Sequence, residues 1–182
     1  MAKAIGMIEY TTIAVGIQAA DLMVKTAEVE LLEAQTVCPG KYIALISGSL
    51  SAVKAAVEAS KQKFSENLID SFVLGNPHTD IFPAIYGATD PGDVEALGVL
   101  ETFSAASIIV VADVAAKTAV VKLIELRIAK GMCGKSYMLI TGEVAAVEAA
   151  IEKAKLSLKD EGLVIGSSVI ARPDTKIWKT IL

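Results

Sequence analysis

The chain has 182 residues, a mass of 19.0 kDa, a formal charge of −4 and a pI near 5.1. That balance supplies no basic footprint for nucleic acid and no polybasic patch for anionic lipid, so neither partner is expected. Hydrophobic residues make up 53% of the chain, yet uncharged stretches such as Tyr10–Ala20 and Thr102–Ala112 span 11 residues each, short of the roughly 18 a membrane helix needs. A soluble chain is therefore expected. An apolar fraction this high with only 5% aromatics points to small aliphatic residues packed closely and to surface covered by partner subunits. Met1-Ala2-Lys3-Ala4 enters a strand with no basic-then-apolar leader, which argues against secretion. The two cysteines, Cys38 and Cys133, lie far apart and do not suggest a disulfide framework.

In chain order, residues 4–10 alternate as a strand. Thr12 can cap a helix whose apolar stripe runs Ile13, Ile17, Ala20, Val24 and Ala27. On its other face Asp21 and Lys25 have the spacing of a surface ion pair. Val29–Val37 and Tyr42–Ser47 read as a second and a third strand, separated by Cys38-Pro39-Gly40-Lys41. Gly48 opens a second helix, capped by Ser49 or Ser51, with Val53, Ala56, Val57 and Phe64 on its buried side. Ile69–Leu74 is a fourth strand, and residues 79–85 form a short amphipathic tail. Gly87–Asp93, with two glycines, a proline and two acids, is the clearest linker.

The same order then returns. Ala4-Ile5-Gly6-Met7-Ile8-Glu9 recurs as Ala96-Leu97-Gly98-Val99-Leu100-Glu101 at an offset of 92. Ser104 takes the cap position, Ala105, Ile109, Ala112, Ala116 and Ala119 the stripe, and Asp113 and Lys117 the charge pair. Gly40 and Lys41 return as Gly134 and Lys135 at an offset of 94, so the second loop carries two extra residues and Cys133 falls opposite Pro39. Val147, Ala150, Ile151 and Leu158 repeat the second helix, Leu163–Ile170 the fourth strand, and residues 175–181 the tail. Two domains, 1–92 and 93–182, each β-α-β-β-α-β, follow. This is an α/β (α+β) fold, a split βαβ ferredoxin-like variant with a four-stranded antiparallel sheet covered by helices on one face. The other face needs a cover, and the two tails can supply part of it.

A survey for catalysis is nearly empty. His78 is the only histidine and suits capping or packing better than general-base work; no Walker loop or G-x-G-x-x-G follows a strand. Glu28, Glu30 and Glu33 read as a solvated strand edge. Cys38 is either a small apolar residue in a narrow turn or a thiol ligand.

The duplicated A-(I/L)-G-x-(I/L)-E strand, the D-x-x-x-K helix, the Gly-Lys loop and the G-x-(L/V)-x-x-V-x-A-A-(V/I)-E helix resemble the bacterial microcompartment shell (BMC) domain along essentially the whole chain. The chain is thus similar to a tandem-domain shell protein, and Cys38-Pro39-Gly40-Lys41 is similar to the loop of the propanediol-utilisation group. The resemblance implies a non-enzymatic, cytoplasmic protein of the microcompartment shell. It implies a homotrimeric pseudohexamer with Val37, Cys38, Pro39, Gly40, Met132, Cys133 and Gly134 lining a central pore, and Lys25 and Lys117 at the tile edges. It further implies one 4Fe-4S cluster per trimer, held by three Cys38 side chains, for electron transfer across the shell or to an enclosed redox enzyme. A plain metabolite-conducting pore is the alternative. Four thiolates normally hold such a cluster, so no single chain could build the site, whereas a threefold axis could. Pro39 stiffens the loop and Gly40 permits φ > 0. Cys133 departs from the relatives' pattern: it could add a second thiol ring, compete for metal or do nothing, and is left out of the ligand set.

Overall fold

A computed structural model describes residues 4–181; the first three residues, inspected above for a leader, lie outside it. The chain divides into two compact units. The first comprises the residues through Pro77 together with Ser104–Ser107 and Ala129–Gly134. The second comprises His78–Phe103, Ile108–Ile128 and the residues from Lys135 onward.

The first repeat runs β1 (Ala4–Tyr10), α1 (Ile13–Thr26), β2 (Val29–Val37), β3 (Lys41–Gly48), α2 (Leu50–Lys63), β4 (Leu68–Leu74) and the tail helix α3 (Ile81–Ile85). The second runs β5 (Ala96–Thr102), α4 (Ala105–Thr118), β6 (Lys122–Arg127), β7 (Ser136–Gly142), α5 (Val144–Ser157), β8 (Val164–Ile170) and the tail helix α6 (Thr175–Ile181). Each repeat forms one four-stranded sheet, ordered β2-β3-β1-β4 and β6-β7-β5-β8, with antiparallel pairing throughout. The expected split βαβ plan is the observed one. β2 is an edge strand, which accounts for the glutamates along it: charge on an edge discourages pairing with another chain.

Alternation along β1 sends Ala4, Ile8 and Tyr10 to the helical side, where Ala19, Ala20, Met23, Val53, Ala56 and Val57 meet them. Gly6 lies in the same row because α2 approaches too closely for a side chain: a Cβ there would fall 2.7 Å from Val53 and 2.8 Å from Val57. Gly98 repeats this, at 2.7 Å from both Ile140 and Val147. The glycine of the duplicated strand motif is thus a packing requirement of the helix layer. Tyr10 closes the layer, its hydroxyl donating to Ser60 O at 2.9 Å and its ring meeting Phe64 edge-on.

Two expectations need correction. The buried face of α1 is Gly16, Ala19, Ala20 and Met23, whereas Ile13, Ile17 and Val24 are exposed. Small residues win because the helix lies almost against β3: a Cβ on Gly16 would sit 2.3 Å from Tyr42. Thr12 occupies the cap position of α1 but makes no side-chain cap hydrogen bond. The tails do supply cover, both of them in the second unit: α3 packs against β6, and α6 places Trp178 on Leu97, Ile124 and Leu139.

Candidate functional site

The first loop is a tight turn out of β2. Val37 is buried and anchors it, Gly40 N–H donates to Val37 O at 3.0 Å, and the Cys38–Pro39 peptide is cis. Gly40 has φ +102, a conformation glycine permits, and its counterpart Gly134 has φ +87. The Cys38 thiol is free and half-buried; Pro39 and Gly40 are exposed.

The two extra residues of the second loop lengthen the span between β6 and β7. Its tip, Ala129–Gly134, folds into the first unit beside the first loop. Cys38 N–H donates to Ala129 O at 3.2 Å, and a Cβ on Gly134 would lie 3.1 Å from Cys38 O and 3.0 Å from Lys41 Nζ. Met132 is half-buried and Cys133 exposed, free and at φ +52. The two cysteine-bearing segments therefore lie side by side within one chain, with their thiols in different settings. No group of three His, Cys, Asp or Glu side chains suited to a metal occurs among the described residues.

Beneath the loops is a device that sequence reading missed. Glu9 is fully buried; its Oε1 accepts from Lys41 Nζ at 2.9 Å and its Oε2 from the backbone N–H of Ala105, the first residue of α4, at 2.8 Å. A buried carboxylate needs such partners, here a cation and the positive end of a helix. Alongside, Asp70 accepts hydrogen bonds from the hydroxyls of Ser104 and of Ser107, the latter at 2.7 Å, while Ser104 Oγ caps α4 by accepting from Ser107 N–H at 3.0 Å. The signal was present: the glutamate of the strand motif and the lysine of the Gly-Lys loop both recur.

The two Asp–Lys pairs are closed at 2.6 Å but are not equivalent. Asp21 and Lys25 are both exposed, whereas Asp113 is buried and also accepts the backbone N–H of His78 at 2.8 Å. His78 thus serves packing, its Nδ1 accepting from Asp80 N–H. In the second unit an open cleft of about 730 Å3 is lined by Val99, Glu101, Glu125, Arg127, Tyr137 and Leu139, among others. Tyr137 donates to Glu125 at 2.8 Å, and Arg127 binds the other oxygen. Burial, followed by the Glu125 hydrogen bond, raises the Tyr137 pKa, and the same carboxylate raises that of Arg127.

Two α/β repeats, each a four-stranded antiparallel sheet with a Gly-containing loop between its second and third strands, define a tandem-repeat chain. The BMC domain family matches residues 4–77 and again 96–173, and the chain belongs to that family. It is 38% identical to the bacterial microcompartment shell protein PduT of Citrobacter freundii over 182 residues, 100% of this chain and 99% of that one. It is 35% identical over 88 residues to the carboxysome shell protein CsoS1 of Prochlorococcus marinus strain SARG, covering 47% of this chain and 85% of that protein. Among solved structures, a microcompartment protein from Desulfitobacterium hafniense DCB superimposes with a TM-score of 0.88 at 44% identity, covering 98% of this chain and 99% of that one. The chain is a shell protein of a bacterial microcompartment, in a family whose members assemble into oligomeric tiles.

Proposed function

We propose that three chains close into a pseudohexameric tile whose central opening is lined by residues 37–40 and 132–134, and that Cys38 from each chain holds one 4Fe-4S cluster there. The observation that carries this reading is the setting of Cys38: a free, half-buried thiol at the head of a turn pinned on both sides, by Gly40 N–H on Val37 O and by its own N–H on Ala129 O. Thiolates are the donors such a cluster takes, and the donor set of one chain is too small, so the site requires copies. When bound, the cluster would carry single electrons through the tile to an enclosed redox enzyme. Val37 and Gly40 hold the thiol in place, and Pro39 limits its travel. Lys25 and Lys117 belong, on this reading, to the tile edges that meet neighbouring shell proteins.

Cys133 is exposed and sits one position away in the matched pattern, so it takes no part. Anaerobic reconstitution with iron and sulfide tests the assignment. Wild type and Cys133→Ser should gain the visible absorbance of thiolate-bound iron and a paramagnetic signal on reduction; Cys38→Ser should gain neither while remaining assembled. The reverse pattern would move the site to the second loop, and a colourless wild type would leave a pore for small metabolites.

A further inference from the structure

The duplication gives each satisfied group in one repeat a counterpart in the other. Glu9 holds Lys41 and the first turn of α4. Its counterpart Glu101 is half-buried, lines the open cleft, and its side chain has no hydrogen-bond or ion-pair partner among the described residues. Beside it Val99 and Tyr137 are half-buried and line the cleft together with Leu139, whereas the residues matching Val99 and Tyr137 in the first repeat, Met7 and Ile43, are fully buried.

The complementary group is also left open. By the offset of 92, Ala105 corresponds to Ile13, the first residue of α1. The start of α4 is capped twice, by Ser104 and by Glu9; the start of α1 has no side-chain cap. Ala105 and Ile109 are fully buried, but Ile13 and Ile17 are 41% and 54% exposed. Each chain thus carries one acceptor already joined to a helix start, and one acceptor and one helix start that are not.

We infer that a second copy of the chain fills this vacancy: Glu101 of one chain accepts the Ile13 N–H at the start of α1 of the next, with Lys135 closing on Glu101 as Lys41 closes on Glu9. This rests on the trimer reading and names the joint that would hold it. Donor and acceptor lie on different repeats, so the contact is head-to-tail and propagates until the ring closes. A carboxylate against a helix start is favourable in the same sense as at Glu9, and Ile13 and Ile17 bring apolar area with it.

The joint between chains would differ from the one within a chain in a definite way. Asp70, Ser104 and Ser107 correspond to Gly166, Thr12 and Val15, so the carboxylate and the Ser107 hydroxyl are lost together, as expected if they serve one contact. A Cβ on Gly166 would meet nothing within 4 Å, so the space opposite the incoming helix start is free in the isolated chain.

Sedimentation of the full chain over a concentration series is the test. Glu101→Gln and, separately, Ile17→Glu should each weaken association roughly ten- to a hundredfold, the equivalent of one charged hydrogen bond, with far-ultraviolet circular dichroism unchanged. Thr12→Ser with Gly166→Asp should tighten association, because it restores the carboxylate that the joint within the chain uses. A wild-type trimer whose dissociation constant moves in none of these variants overturns the joint and leaves the trimer standing. A wild type that stays monomeric overturns the trimer reading and the joint with it.

Discussion

Replacing Glu9 by glutamine tests whether the buried carboxylate holds the first unit together. The substitution keeps the shape of the side chain and an oxygen for the Ala105 N–H, but it leaves Lys41 charged against a neutral partner. Removing one member of a buried ion pair costs about 3–5 kcal/mol. Lys41 retains 17% side-chain exposure and can recruit some water, which places the expected loss at the lower end, about 3 kcal/mol. For a chain of this size about 2–4 °C of melting temperature corresponds to 1 kcal/mol, so the midpoint should fall by about 6–12 °C. The assay is thermal unfolding by circular dichroism at fixed protein concentration, since association adds to apparent stability. Adding Lys41→Met should recover much of the loss, because a site with both charges removed has none left unpaired. Strictly additive losses in that double-mutant cycle would refute the reasoning.

Gly98→Ala should cost about 1–3 kcal/mol in denaturant unfolding, because its Cβ would press on Ile140, Val147 and Ile151. Lys25→Ala with Lys117→Ala should abolish extended sheets in electron micrographs while leaving single tiles. Lys25→Ala alone should barely change stability, since an exposed pair is worth about 0.2–1 kcal/mol, whereas Lys117→Ala should also lower it, because Asp113 is buried. Sheets that persist in the double variant would return both lysines to surface pairing. Burial raises the Tyr10 pKa, the Ser60 hydrogen bond opposing it in part. The folded value lies above the unfolded one, so this contribution is whole below the ordinary tyrosine range of about 10 and is lost as pH rises through the folded value. Tyr10→Phe should therefore flatten the alkaline loss of stability in melting curves, and an unchanged alkaline limb would contradict the assignment.

Strand and helix boundaries were legible because alternation and capping are local, and the duplication supplied a second reading of each element. Ser49 caps α2 as its position suggests, accepting from Ala52 N–H at 3.2 Å. The α1 face was misread for a physical reason: hydropathy favours Ile13, Ile17 and Val24, but a helix lying this close to a sheet buries Gly16 and Ala19 and leaves the isoleucines exposed. Long-range pairing was hidden in the same way. Glu9 meets Ala105 and Asp113 meets His78 across distances in sequence that no periodicity encodes. The turn at Cys38 was readable from Pro39 and Gly40, but the Ala129–Gly134 segment beside it follows only from the fold.

The most direct measurement combines sedimentation with iron and sulfide analysis on one anaerobically reconstituted sample. The account predicts a single species with the mass of three chains carrying about four irons and four sulfides. Iron bound to monomers, or a trimer binding one iron per chain without sulfide, would contradict it.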